Sequence, residues 1–282
     1  PRGLYGSAMR ANLRYLIPLA AALGAGIGPA SLPRGSGATP DRLTLDRVAR
    51  YPPPGAGVAG GFKFSHDGRY LYFLKGDDPG AARSLFREDV KTGARELVAR
   101  PPAAAEGGEP LTHEEILRRE RQRIQDRGIT LYILAAKADV AVFAHGGAVH
   151  LVRPGRDPVR LTDPARPVID PQLSPDGASL AFVRGGELYV LDVATRAERR
   201  LTAGARDGVT HGIAEFIAQE EMDRDTGFWW SPNGARLAYT EVDETGIPLY
   251  PIVHQGNAVW EIESHRYPFA GGPNARVRLG VI

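Results

Sequence analysis

Between residues 64 and 240 one short pattern of polar and apolar positions is written several times. Phe64-Ser65-His66-Asp67-Gly68 precedes the apolar run Tyr70 to Leu74, and Leu173-Ser174-Pro175-Asp176-Gly177 precedes Leu180 to Val183. Trp230-Ser231-Pro232-Asn233-Gly234 precedes Leu237 to Tyr239, and a weaker copy spans Lys137 to Phe143, where Asp139 leads straight into Val140. The Asp-Gly and Asn-Gly pairs supply tight turns, because glycine takes a positive φ at little cost. The run after each turn has the two-residue alternation of a strand buried on one side. In two copies a further strand and turn follow, Leu85-Phe86 with Asp89 to Gly93 and Leu188 to Val190 with Asp192 to Thr195. Each of these units closes on another strand, Glu96 to Val98 and Arg199 to Thr202. Strands and turns repeating in this way predict four-stranded blades, hence an all-β fold, a partial β-propeller.

The turn residues Asp67, Asp139, Asp176 and Asn233 lie 72, 37 and 57 residues apart, against about 40 to 45 residues for one blade. The first and third intervals therefore carry insertions, at about 101–128 and 203–228. Insertions in repeat folds collect on one face, often the binding face. In the first, Thr112 is placed to cap a helix with Glu115 completing a capping box. Glu114 to Arg127, EEILRRERQRIQDR, then has a strongly helical composition with only a thin apolar stripe from Ile116, Leu117 and Ile124. Such a helix lies on a surface, either laced with Glu–Arg pairs or with one arginine turned into a cleft to hold an anion or carbonyl.

In the second insertion Ile213, Phe216 and Ile217 have helical spacing, and Glu220 and Glu221 follow four residues later on the same flank. Neighbouring residues on a helical turn diverge by about 100°, whereas on a strand they point to opposite faces. Both carboxylates can therefore meet one ligand. Two acids this close repel unless a cation lies between them. A peptide α-ammonium suits the pair, because its three N–H donors can be shared between two acceptors. An uncharged amide in its place would leave the acids unpaired, so such a site selects a chain end. The plainer alternative is an exposed acidic helix end paired with Arg224.

Composition removes several classes. The chain of 282 residues is 43% hydrophobic and 24% charged, which is the balance of a globular protein. A net charge of +2 with no Lys/Arg face interleaved with aromatics argues against a nucleic-acid partner. Cysteine is absent, which excludes disulfides and thiolate metal sites. His113, His145, His150, His211, His254 and His265 lack metal-ligand spacing, so no metal is expected and surface or turn positions are their default. Trp229 and Trp230 suit packing at a strand start better than ligand stacking. Near the N-terminus Met9 is followed by Arg10, Arg14, an apolar run from Leu16 to Ile27 and the small residues Gly28 and Ala30. That order is a secretory leader, too short to span a bilayer comfortably. Residues 1–30 are thus expected to be leader and upstream residues, 31–42 a linker and 43–282 the propeller. The expected location is periplasmic or secreted, with no membrane attachment once the leader is removed.

The stretch Ala214 to Asn233, AEFIAQEEMDRDTGFWWSPN, resembles the double-glutamate segment of the dipeptidyl-peptidase IV family within the prolyl oligopeptidase clan. Asp243-Glu244, Ile247-Pro248, Arg266-Tyr267-Pro268 and Ala270 to Asn274 look like the same family, and Met222-Asp223-Arg224 looks like its bacterial members. The resemblance implies an eight-bladed propeller, of which about four blades are counted here, and an α/β-hydrolase domain that carries the Ser–Asp–His triad. It implies release of N-terminal dipeptides with Pro or Ala second, from peptides with a free N-terminus, and no cofactor. By the same resemblance Glu220 and Glu221 match the pair that holds the substrate α-ammonium. An arginine on the inserted helix would hold a substrate carbonyl, with Arg118 and Arg121 as the candidates. The resemblance also leaves room for a homodimer of the full-length parent. No Gly-x-Ser-x-Gly elbow occurs in the sequence, and Ser231 sits in a repeated turn. The expected activity therefore needs the hydrolase domain, and this part alone is expected to be inactive. The alternative is a non-catalytic periplasmic propeller that binds peptides or proteins.

Overall fold

The computed structural model describes residues 44–49, 58–76, 82–103, 111–121, 123–254 and 261–282. The expected leader and linker lie outside the described residues. After a short exposed helix α1 (Leu45–Ala49), the described residues form four antiparallel blade sheets in sequence order and one separate two-stranded hairpin sheet. The first blade is β1 (Gly60–Phe64), β2 (Tyr70–Lys75), β3 (Ser84–Asp89) and β4 (Arg95–Ala99). Helix α2 (His113–Arg121) leads to the second blade, β5 (Ile133–Leu134), β6 (Ala141–His145), β7 (Ala148–Val152) and β8 (Val159–Arg160). The third is β9 (Ile169–Leu173), β10 (Ser179–Arg184), β11 (Glu187–Asp192) and β12 (Glu198–Arg200). This succession of four-stranded meanders is a partial β-propeller.

The fourth blade departs from the pattern. Its first strand is split into β13 (Val209–His211) and β14 (Phe228–Trp230), with helix α3 (Phe216–Glu221) between them. Both pieces pair with β15 (Leu237–Asp243) at successive registers, His211 opposite Glu241 and Phe228 opposite Tyr239. The third strand, β18 (Arg276–Val281), pairs with β15 along its length, after a hairpin of β16 (Leu249–His254) and β17 (Glu261–Arg266).

The repeated turn owes its shape to one hydrogen-bond unit. Ser65 donates its hydroxyl to Asp67 (2.7 Å) and accepts the Tyr70 N–H (2.9 Å). Ser174 does the same with Asp176 and Ser179, and Ser231 with Asn233 and Arg236. The glycine that follows stands at φ 69°, 72° and 72° in the three copies. Ser231 is thereby a turn residue, as its sequence context predicts.

Where the alternation predicts strands buried on one side, the central strands are buried on both. Ala141 and Phe143 join Tyr72, Leu74 and Leu85 of the first blade, while Val142 joins Leu180 and Phe182 of the third. Ala181 and Val183 face the opposite way, onto Phe228 and Leu237 of the fourth. A strand's period of two sends successive side chains to opposite faces, so a blade packed between two others buries both sets. Among the described residues no helix is long and apolar enough to cross a membrane.

Candidate functional site

The insertion that carries the acid pair is shorter than expected. Residues 203–208 lead into β13, so the extruded piece is 212–227 rather than 203–228. Its neck is tight. Gly212 donates its N–H to the Thr240 carbonyl, Thr240 donates to that of Gly227 (both 2.8 Å), and Ile213 bridges Thr226. A Cβ on Gly227 would lie 2.5 Å from the Gly212 carbonyl carbon, so no larger residue fits there without moving the backbone.

Six residues are too few for a helix to persist by itself, and α3 is held by its surroundings. Ala218 is fully buried, and Phe216 meets the Tyr267 ring edge-on at 5.2 Å. Glu244, from the loop after β15, accepts the Phe216 N–H. Burial raises the Glu244 carboxyl above its ordinary value against the pull of Arg266, and nearby Glu215 adds to the rise. Arg224 closes the far end. Its guanidinium donates to the Glu215 carboxylate (2.7 Å) and the Thr226 carbonyl (3.1 Å), and its N–H donates to the Ala218 carbonyl (3.0 Å). Arg224 thus pairs with Glu215 at the start of the helix, not with the acids at its end.

Glu220 and Glu221 occupy the last turn of α3, and both are exposed. The helical reading of the pair is correct, and the two carboxylates stand on the solvent side of an anchored projection. Away from the pair, a hollow of about 450 Å³ lies on the outer face of the first blade beside Phe62 and Phe73, and another of about 360 Å³ lies near His150 and Arg160.

The return of the insertion meets the third blade. Asp170 stands at φ 48°, in the left-handed region that non-glycine residues enter at a cost. It lies in a bulge of β9, where three steps from Gln172 to Ile169 oppose two from Ala181 to Val183. The adjoining Pro171 has no N–H to give to the ladder. Turned out by the bulge, the Asp170 carboxylate accepts the Thr226 hydroxyl and the Gln172 amide (3.0 Å). Gln172 donates also to the Thr226 hydroxyl (3.0 Å), which closes a triangle, and the Gln172 carbonyl accepts the Trp230 indole N–H (3.2 Å). Burial raises the Asp170 carboxyl above its ordinary value despite these donors.

Helix α2 is shorter than the composition predicts. It ends at Arg121, and Arg123 follows at φ 53°, a conformation that cannot continue the helix. Thr112 caps it by accepting the Glu115 N–H (3.2 Å). Glu115 is occupied elsewhere. It receives Arg118 at 2.8 and 2.7 Å and Arg119 at 2.6 Å. Burial would raise the Glu115 carboxyl, but the two guanidiniums outweigh it and hold it below its ordinary value. Arg118 also donates to the Thr130 hydroxyl (2.6 Å). Arg121 is the C-terminal residue of α2, and its side chain lies outside the described residues.

Two histidines are not at the surface. His145 is buried, and so is His211, between Glu187 (3.1 Å from Nδ1) and Glu241 (3.6 Å from Nε2). Packing of the third blade on the fourth brings Glu187 to His211. Among the described residues no cluster of His, Asp and Glu is arranged to hold a metal ion.

Residues 137–282 match the profile of the dipeptidyl peptidase IV N-terminal region. The chain belongs to the dipeptidyl peptidase IV family. It is 30% identical to human dipeptidyl peptidase 8 over 193 residues, 59% of this chain and 22% of the relative. It is 34% identical to a probable dipeptidyl peptidase 4 of Aspergillus flavus over 119 residues, 39% of this chain and 15% of that protein. Dipeptidyl peptidase 4 of Felis catus is 32% identical over 114 residues. The chain therefore spans 22% or less of the length of these dipeptidyl peptidases. The family region contains the split strand, α3 and Asp170. Helix α2, with Arg118 and Arg121, precedes it.

Sequence reasoning gives no role to Asp170, Glu215, Thr226 or Glu244, which hold α3 and its return in place. One local signal was present. A proline after an aspartate inside an otherwise strand-like run, Ile169-Asp170-Pro171-Gln172, marks a bulge.

Proposed function

We propose that the full-length protein is a serine-type exopeptidase that releases X-Pro or X-Ala dipeptides from peptide N-termini, and that Glu220 and Glu221 hold the substrate α-ammonium. One observation supports the clamp above others. The pair sits on the exposed end of a helix that leaves and re-enters the first strand of a blade through a tight neck, so two flexible acids have a fixed base. A cation bridging them would relieve their mutual repulsion. Of the two arginines, Arg118 is committed to Glu115 and Thr130. Arg121 therefore takes the substrate carbonyl in this reading. The nucleophile, proton relay and oxyanion hole belong to a hydrolase domain of the same polypeptide. Export follows from the leader pattern at Met9 to Ala30, and a homodimer of the full-length protein is part of the same reading.

The test is kinetic. In the full-length enzyme Glu220→Ala and Glu221→Ala are each expected to raise KM for an X-Pro chromogenic dipeptide by at least about tenfold, the loss of one charge-assisted contact. Arg121→Ala should weaken turnover more than Arg118→Ala. Unchanged kinetics in both glutamate variants would remove the clamp. Peptide binding without hydrolysis, together with no labelling by a serine-directed fluorophosphonate, would instead favour the non-catalytic propeller.

A further inference from the structure

Helix α3 needs an orientation as well as a fold, and its own six residues do not supply one. On its N-terminal side the neck at Gly212 and the Glu244 contact fix it to its own blade. On its C-terminal side the chain returns through Met222 to Thr226, with Asp223 at φ 49°. Thr226 is the point where this return meets the third blade, in the triangle with Asp170 and Gln172. The angle at which Glu220 and Glu221 stand is thus set against two blades.

We propose that Asp170 is a positioning residue for the amine clamp, fixing through Thr226 the segment by which the double-glutamate helix returns to its blade. This inference rests on the clamp reading of Glu220 and Glu221. Three features of Asp170 point the same way. It keeps a left-handed backbone that glycine would adopt without strain. It occupies a bulge, a device that re-aims a side chain out of the ladder. And its half-buried carboxylate gives one oxygen to the neighbouring Gln172 amide and the other to the hydroxyl of a threonine 56 residues away rather than to a cation. A residue chosen for the strand alone would satisfy none of these. Burial, strain and the long-range contact all converge on the position of Thr226.

The experiment uses the full-length enzyme with active-site titration, so that kcat refers to folded protein. Asp170→Gly removes the carboxylate and relieves the strained φ, and Thr226→Val removes the hydroxyl with its shape kept. Both are expected to raise KM for a dipeptide substrate with a free amine by about tenfold, while kcat per titrated site changes less than threefold. Thr226→Ser, which retains the hydroxyl, should stay within about twofold of the parent. A role confined to stability would lower the active fraction and melting temperature and leave KM alone. That result, with KM raised by Glu220→Ala and Glu221→Ala but not by Asp170→Gly or Thr226→Val, would overturn the positioning role and keep the clamp. Failure of the glutamate variants themselves to raise KM would overturn the clamp reading, and the positioning role with it.

Discussion

Arg224 offers the sharpest test of how the acid helix is held. Its side chain and that of Glu215 are 27% and 11% exposed, so their contact lies between a solvated pair and a buried one. Exposed pairs contribute about 0–1 kcal/mol, whereas removing one partner of a buried pair costs about 3–5 kcal/mol. Arg224→Met, which keeps the aliphatic bulk, should therefore cost about 2 kcal/mol of local stability. It strands a largely buried carboxylate beside Glu244 and frees the Thr226 carbonyl. The global fold should barely notice, since the loss is confined to an extruded segment. Hydrogen exchange is the suitable assay, because it reads opening of 212–227 separately from the blades. A loss of about 2 kcal/mol corresponds to ~30-fold faster exchange at the amides of Gln219 and Arg224, which bond to Glu215 and Ala218. Arg224→Lys keeps the charge without the fork and should fall between the two. Exchange within about twofold of the parent in Arg224→Met would refute the reasoning, and α3 would have to be held by Ala218, Phe216 and the neck alone.

Two further outcomes follow from the packing. The Glu115 carboxyl is depressed in the folded state, so its contribution is present above the ordinary glutamate range and is lost as pH falls through the lowered value. Exchange protection of α2, corrected for intrinsic rates, should fall on acidification in the parent and depend little on pH in Glu115→Gln. Phe182 is fully buried between the second and third blades and stacks on Tyr189 at 5.8 Å. Phe182→Ala should cost about 3–5 kcal/mol, seen as a clear drop in the melting temperature, while Phe62→Ala at a 57% exposed site should cost far less.

What the sequence by itself determined is everything governed by near neighbours. The Ser-x-Asp-Gly and Ser-x-Asn-Gly turns, the alternating runs behind them and the count of blades all depend on contacts within about five residues. The helical turn that carries Glu220 and Glu221, and the Thr112 cap of α2, are of the same kind. The tertiary structure decided where those pieces lie and what holds them. Composition could not show that Arg123 ends α2, because a left-handed residue is favoured by what surrounds it rather than by its own propensity. Nor could it show that α3 erupts from inside one strand, since β13 and β14 become halves of a single strand only by sharing β15. Arg224 chose Glu215 over the nearer acids through the fold of the insertion itself, while His211 went inside and Asp170 met Thr226 because blades stack face to face. Such partners are distant in sequence, and the shape of two packed sheets brings them within reach.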